Sequence, residues 1–203
     1  MLLYFADLTY FEKDCLDAHN FYRAKHGVPF LKWDRNLTNA ARKYSVHLFN
    51  FEVHLVHDVF VLRKSFQGEN LAKYVTNPAF PLCLNKTDAS NHCVNCRDVI
   101  KLWYDEHIHY NFTTGEGLGS GEFLHLTQLL WKRSSYLGMA AIRGKFELIF
   151  VARYFLGGNV ATPYDFMDNV PPLLKGEQVL CRFWGHEAGI AKKQIVALEM
   201  LIN

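Results

Sequence analysis

Three groups of residues have types and spacing suited to chemistry. Cys83, His92, Cys93 and Cys96 crowd one stretch, and thiolate and imidazole are soft donors of the kind that hold zinc. The stretch has one Cys-x-x-Cys spacing and no matching second pair, so free thiols or a local disulfide explain it better than a metal cluster. His47, His54 and His57 are spaced to share one helical face, where a solvated polar surface accounts for them. Glu106 stands at helical spacing from Val99, Trp103 and Tyr110, so its carboxylate is turned toward an apolar face and needs a partner there. The chain has no Gly-x-Ser-x-Gly elbow, His-Glu-x-x-His helix or phosphate loop that would add independent evidence of catalysis.

The elements that must position these groups belong to a chain of 203 residues, half of them hydrophobic and 15% aromatic, which suffices for one sizeable core. With 22 basic and 20 acidic residues the formal charge is +2, too small for the field that non-specific nucleic-acid binding exploits, so no nucleic-acid partner is expected. Apolar runs such as Phe146 to Phe155 are broken by Glu147 and Arg153, so no spanning helix is expected. The first residues lack a basic n-region and reach Asp7 before a signal-length apolar run forms, while Leu2 replaces the glycine that myristoylation needs. Five cysteines are an odd number with three clustered, which suits a reducing compartment better than a framework stapling the whole fold. The sequons at Asn36, Asn85 and Asn111 count only if the chain is exported.

Helical character from Asp14 to His26 ends at Gly27 and Pro29. A second helix, capped by Asp34 or Asn36, runs through Leu37, Ala41, Tyr44, Leu48, Phe51 and Leu55 on one face. Residues 75–97 are rich in turn formers and read as a surface loop, followed by a helix from Arg97 to Tyr110. A glycine-rich connector leads to a short helix from His125 to Lys132. Leu137 to Arg143 and Phe146 to Phe155 then form an antiparallel hairpin about Gly144-Lys145. Residues 163–176 read as a strap leaving the domain, and Glu187 to Ile202 as a terminal helix.

Five ordered motifs give the chain a further identity: Ala18-His19-Asn20 with Tyr22-Arg23, Gly68-Glu-Asn-Leu71, Trp103-Tyr-Asp-Glu106, His125-Leu-Thr-Gln-Leu-Leu-Trp131, and Val151-Ala-Arg-Tyr154 with Gly157-Gly-Asn159. With them the chain resembles the CAP superfamily of cysteine-rich secretory proteins, antigen 5 and pathogenesis-related proteins, the likeness running to its Golgi-associated branch. The resemblance covers about residues 14–172, leaving 1–13 and 173–203 as extensions. It implies an α+β fold, an α-β-α sandwich with a mostly antiparallel central sheet. Leu124 stands where the family usually has glycine before its second histidine, and an apparent extra residue lies in Ser120 to Leu124, which narrows the approach to His125. The exported subgroup's cysteines near Met139 and Ala152 are missing, which supports the non-exported branch.

The resemblance places two histidines and two glutamates around a cleft, here His57, Glu69, Glu106 and His125, with His54 as the alternative first histidine. Two neutral imidazoles, His57 and His125, can coordinate zinc and leave positions open to water, while carboxylates behind them orient the rings or accept protons. The same four residues can equally be a structural ion cluster that fixes the loops. No cofactor is required by this reading; zinc is the one that fits. The function implied is a non-enzymatic binding module for a lipid or membrane surface, with a protein partner or a second copy of the chain as further partners. A metal-dependent hydrolase or protease, with Glu69 or Glu106 as general base, is one alternative. A secreted defence or venom-allergen-like ligand is another. The expected location is cytoplasmic, on the cytosolic face of Golgi or other membranes; an export signal would make it extracellular.

Overall fold

The structure, a computed structural model, describes residues 8–52, 54–76, 78–85, 93–159 and 162–174. The expected helix from Glu187 to Ile202, together with His92 and Cys181, lies outside the described residues. Helix α1 (Tyr10–Lys25) starts before the expected Asp14 because Thr9 and Glu12 form a reciprocal capping box. Strand β1 (Lys32–Trp33) leads into α2 (Arg35–Phe51), whose N-cap is Asp34, bonded to the Leu37 amide at 2.8 Å. Two elements follow that the sequence pattern does not announce: α3 (Val59–Ser65) and β2 (Gln67–Val75). Helix α4 (Cys96–Asp105) passes into a 3₁₀ turn at Glu106–His109, then the short pair β3 (Tyr110–Asn111) and β4 (Glu116–Gly117). Helix α5 (Leu124–Leu130), the hairpin β5 (Tyr136–Arg143) and β6 (Glu147–Phe155), and α6 (Pro163–Asn169) complete the order.

The central sheet has the order β1-β5-β6-β2. Its β5–β6 and β6–β2 pairings are antiparallel and β1–β5 is parallel, so the sheet is mostly antiparallel, as expected, with one parallel pairing that makes it mixed. Alternation along β6 divides the core into two layers. Leu148, Phe150, Ala152 and Tyr154 face a cluster with Cys15 and Ala18 of α1, Val99, Ile100 and Trp103 of α4, and Leu126, Leu129 and Leu130 of α5. Ile149 and Val151 face Ala41, Tyr44 and Leu48 of α2, with Leu71 and Ala140. Helices thus cover both faces, which is the α-β-α sandwich. Gly138 permits the closeness of α2, since a Cβ there would lie 2.1 Å from the Thr38 nitrogen.

Three expectations are corrected. Helix α2 ends at Phe51 rather than Leu55, so His54 and His57 do not share a helical face with His47, which stacks instead on Tyr44 and packs against Phe51. The strap at 163–176 contains α6, built on a Thr162 cap and a proline in its first turn. The cysteines pair: Cys83 with Cys93, and Cys15 with Cys96 across 81 residues. The first is a local loop closure. The second fastens α1 to α4, so one disulfide does staple distant parts of the fold, and no four-ligand zinc set survives in that loop.

Candidate functional site

Strand β2 is an edge strand, and the expected site residues gather along it in two histidine–glutamate pairs. Glu69, directly opposite Arg153 in the β2–β6 register, has a fully buried side chain. Its Oε1 faces His57 Nδ1 at 2.8 Å and accepts the Asp58 amide at 3.3 Å; its Oε2 is ion-paired with Arg153 Nε at 2.9 Å. Arg153 also donates to Asp58 Oδ2 at 3.0 Å and lies over the Tyr44 ring at 5.0 Å. Burial, with the charges of Glu69 and Asp58, pushes the Tyr44 hydroxyl up to about 12. That hydroxyl donates to the Val56 carbonyl, tying the loop that carries His57 to α2.

The second pair stands at the start of α5. Its N-cap position, Phe123, offers no side-chain acceptor. Glu106 supplies one from a distance: its Oε2 accepts the amides of His125 and Leu126 at 3.0 and 3.1 Å, and its Oε1 faces His125 Nδ1 at 2.6 Å. The His125 ring runs parallel to Trp103, whose indole donates to the Leu71 carbonyl on β2. Asn70, next to Glu69 in the strand, donates to the His125 carbonyl at 2.9 Å. Consecutive residues of one edge strand therefore hold both pairs. His54 is exposed in a bend, and it is His57 that the structure sets against Glu69.

The motif glycine Gly68 is explained by the same packing. A Cβ on it would lie 1.9 Å from Gln128 Oε1, which accepts the Gly158 amide. Leu124, the departure from the family pattern, is exposed at the start of α5, and its carbonyl accepts the Asn159 amide group. Arg153 and Asp58 are site residues that sequence reasoning missed. The signal for Arg153 is its facing position to Glu69, which is visible only once β2 is recognised as a strand.

The donor chemistry fits zinc in part. With Nδ1 directed at a carboxylate, an imidazole in its neutral form keeps the lone pair on Nε2, and neither Nε2 has a protein hydrogen bond among the described residues. A carboxylate behind a histidine is the usual outer support of a metal ligand. Yet the described residues contain no group of three or more histidine, cysteine, aspartate or glutamate side chains poised on one ion. His57 and His125 would be the holders, and a metal on two imidazoles would present open positions to water or a ligand oxygen.

A sandwich with two carboxylate-backed histidines beside its edge strand defines a class of protein, and comparison with known sequences agrees. The sequence profile of the cysteine-rich secretory protein (CAP) family matches residues 16–154. The chain belongs to the CAP family. It is 34% identical to Golgi-associated plant pathogenesis-related protein 1 of Homo sapiens, over 80% of this chain and 93% of that one. It is 30% identical to pathogenesis-related leaf protein 6 of Solanum lycopersicum, over 64% and 67%. Among solved structures, Schistosoma mansoni venom allergen-like protein 4 shares the fold, with a TM-score of 0.55 at 18% identity over 75% of this chain and 92% of that one. NaASP2, crystallised with Zn2+, does so with a TM-score of 0.53 at 18% identity over 73% and 80%.

Proposed function

We propose that the chain is a non-catalytic CAP-domain module that binds a lipid or membrane surface and protein partners, with His57 and His125 able to take a divalent metal. The observation that carries the non-catalytic part is the commitment of both carboxylates. Glu69 is buried and neutralised by Arg153 while holding His57 and an amide. Glu106 spends its oxygens on His125 and on two amides that begin α5. A general base needs an oxygen within reach of a water and free to take its proton, and these oxygens are positioning groups instead. This favours a rigid binding face over a metal-dependent hydrolase.

The Golgi association named for the human relative supports a membrane as the surface bound. No helix among the described residues is long and apolar enough to cross a membrane. Of the two locations open to the module, the cytosolic face of Golgi or other membranes and the cell exterior, the two disulfides favour an oxidising one. The test is flotation with liposomes of graded anionic content, with and without zinc, beside a His57→Ala/His125→Ala double variant. Flotation of the native chain is expected, and any zinc dependence should vanish in the double variant. No flotation at any composition overturns the lipid reading and turns the search to a protein partner. Hydrolysis by the zinc-loaded chain that is abolished by His125→Ala overturns the non-catalytic reading.

A further inference from the structure

Helix α3 stands apart from the packing of the sandwich. Its first turn is Val59, Phe60 and Val61, yet all three are exposed and none of its residues is buried. Phe60 is 78% exposed. Val59 and Phe60 line a shallow groove with Arg63 and Lys64, which lie one helical turn further on and so share their face. Phe66 ends the helix with φ 54°, a left-handed conformation that costs a β-carbon-bearing residue more than glycine. Its ring is nonetheless 72% exposed, so neither backbone geometry nor burial explains a phenylalanine here. The Phe66 carbonyl accepts the Gly157 amide and Gln67 pairs with Phe155, which sets exposed Phe155 and Leu156 at the same end of the sheet.

The base under this surface is fixed. Asp58 caps α3, and the acidic neighbours Asp58 and Glu69 are both engaged by Arg153, leaving Arg63 and Lys64 to set the sign of the outer face. Exposed rings flanked by cations on a projecting element match a headgroup boundary, with the rings among acyl chains and the cations on anionic headgroups. We propose that α3 and Phe66 are the membrane-contact element of this chain, inserting Val59, Phe60 and Phe66 into a bilayer that carries anionic lipid, with Arg63 and Lys64 on its headgroups. This rests on the binding-module reading and adds to it the surface and the lipid charge.

The test is flotation of the full chain with phosphatidylcholine vesicles, with and without phosphatidylserine. Native chain should float with the anionic vesicles and far less with the neutral ones. Arg63→Gln/Lys64→Gln should weaken anionic binding by about 30-fold, at about fivefold per charge. Phe60→Ser should weaken it by about tenfold. Phe66→Gly should weaken it similarly without lowering the melting temperature, which separates lost contact from lost folding. Val75→Thr, at the other end of β2, should bind like the native chain. Native flotation that is unchanged in the α3 variants overturns this assignment and leaves the module reading standing. Equal binding to neutral vesicles overturns the anionic class, and no flotation of the native chain overturns both.

Discussion

Tyr154 joins the core to the cleft. Its hydroxyl lies 2.8 Å from His19 Nε2, and the Asn70 side-chain amide donates both to that hydroxyl and to the His125 carbonyl. His19 Nδ1 faces the Cys15 carbonyl at 2.7 Å. A carbonyl only accepts, so Nδ1 carries the proton, Nε2 carries the lone pair, and Tyr154 donates to it. Complete burial pulls His19 down to about 3 and pushes Tyr154 far above its usual range, so both stay neutral. Tyr154→Phe would strand the imidazole nitrogen and is expected to cost about 1–3 kcal/mol in urea unfolding, while disturbing the loop that carries His125. His26, buried against the Tyr104 hydroxyl and the Pro171 carbonyl, is pulled down to about 4, chiefly by burial. Both folded values lie below the unfolded one of 6.5, so the unfolded chain binds more protons through this range. Their contribution is complete above that value and is lost as pH falls from 6.5 toward 4 and then 3. Each should cost up to about 1.4 kcal/mol per pH unit in that window. Denaturant unfolding across it checks the slope, which should shrink in His19→Asn.

At the scale of elements, what the sequence revealed depended on how locally each one is determined. The faces of α2 and the turn at Gly144 are written in neighbouring residues, and both were legible. Strand β6 was legible as a near-continuous apolar run because it is covered on both faces. Strand β2 was not, because Glu69, Asn70 and Lys73 interrupt its apolar positions, and their partners Arg153, Tyr154 and Glu147 lie on another strand. Helix α5 was legible to within a residue of its start, but its cap, Glu106, was not, because it lies far from the helix in sequence. The four cleft positions came through the family resemblance; their supporting Arg153 and Asp58 had no local signal. Helix α3 has neither a buried face nor a periodic pattern to announce it. Its end gives a stability prediction of its own. Phe66→Gly removes a left-handed penalty of about 1–2 kcal/mol and adds an entropy cost of about 0.5–1 kcal/mol, for a net gain of up to about 1.5 kcal/mol in thermal unfolding.

For the whole molecule the long-range disulfide carries the most weight. The cysteine count alone did not reveal it, because the pairing depends on α1 lying against α4, where Cys15 and Cys96 are both fully buried. Closing a loop of 81 residues should stabilise the fold by about 4 kcal/mol. The Cys15→Ala/Cys96→Ala variant is expected to lose about that much in chemical unfolding, whereas opening Cys83–Cys93 should cost less. The two bridges are also nested, the inner pair lying wholly inside the loop of the outer one. On a growing chain Cys83 emerges when Cys15 is already present, and its proper partner follows ten residues later, on the order of a second at ordinary synthesis rates. Correct pairing is thus a race between oxidation and elongation. The strand that packs over Cys15, β6, is synthesised only after Cys96, so the sheet cannot shield Cys15 in the interval, and the right pairing rests on Cys83 meeting Cys93 before it reaches Cys15.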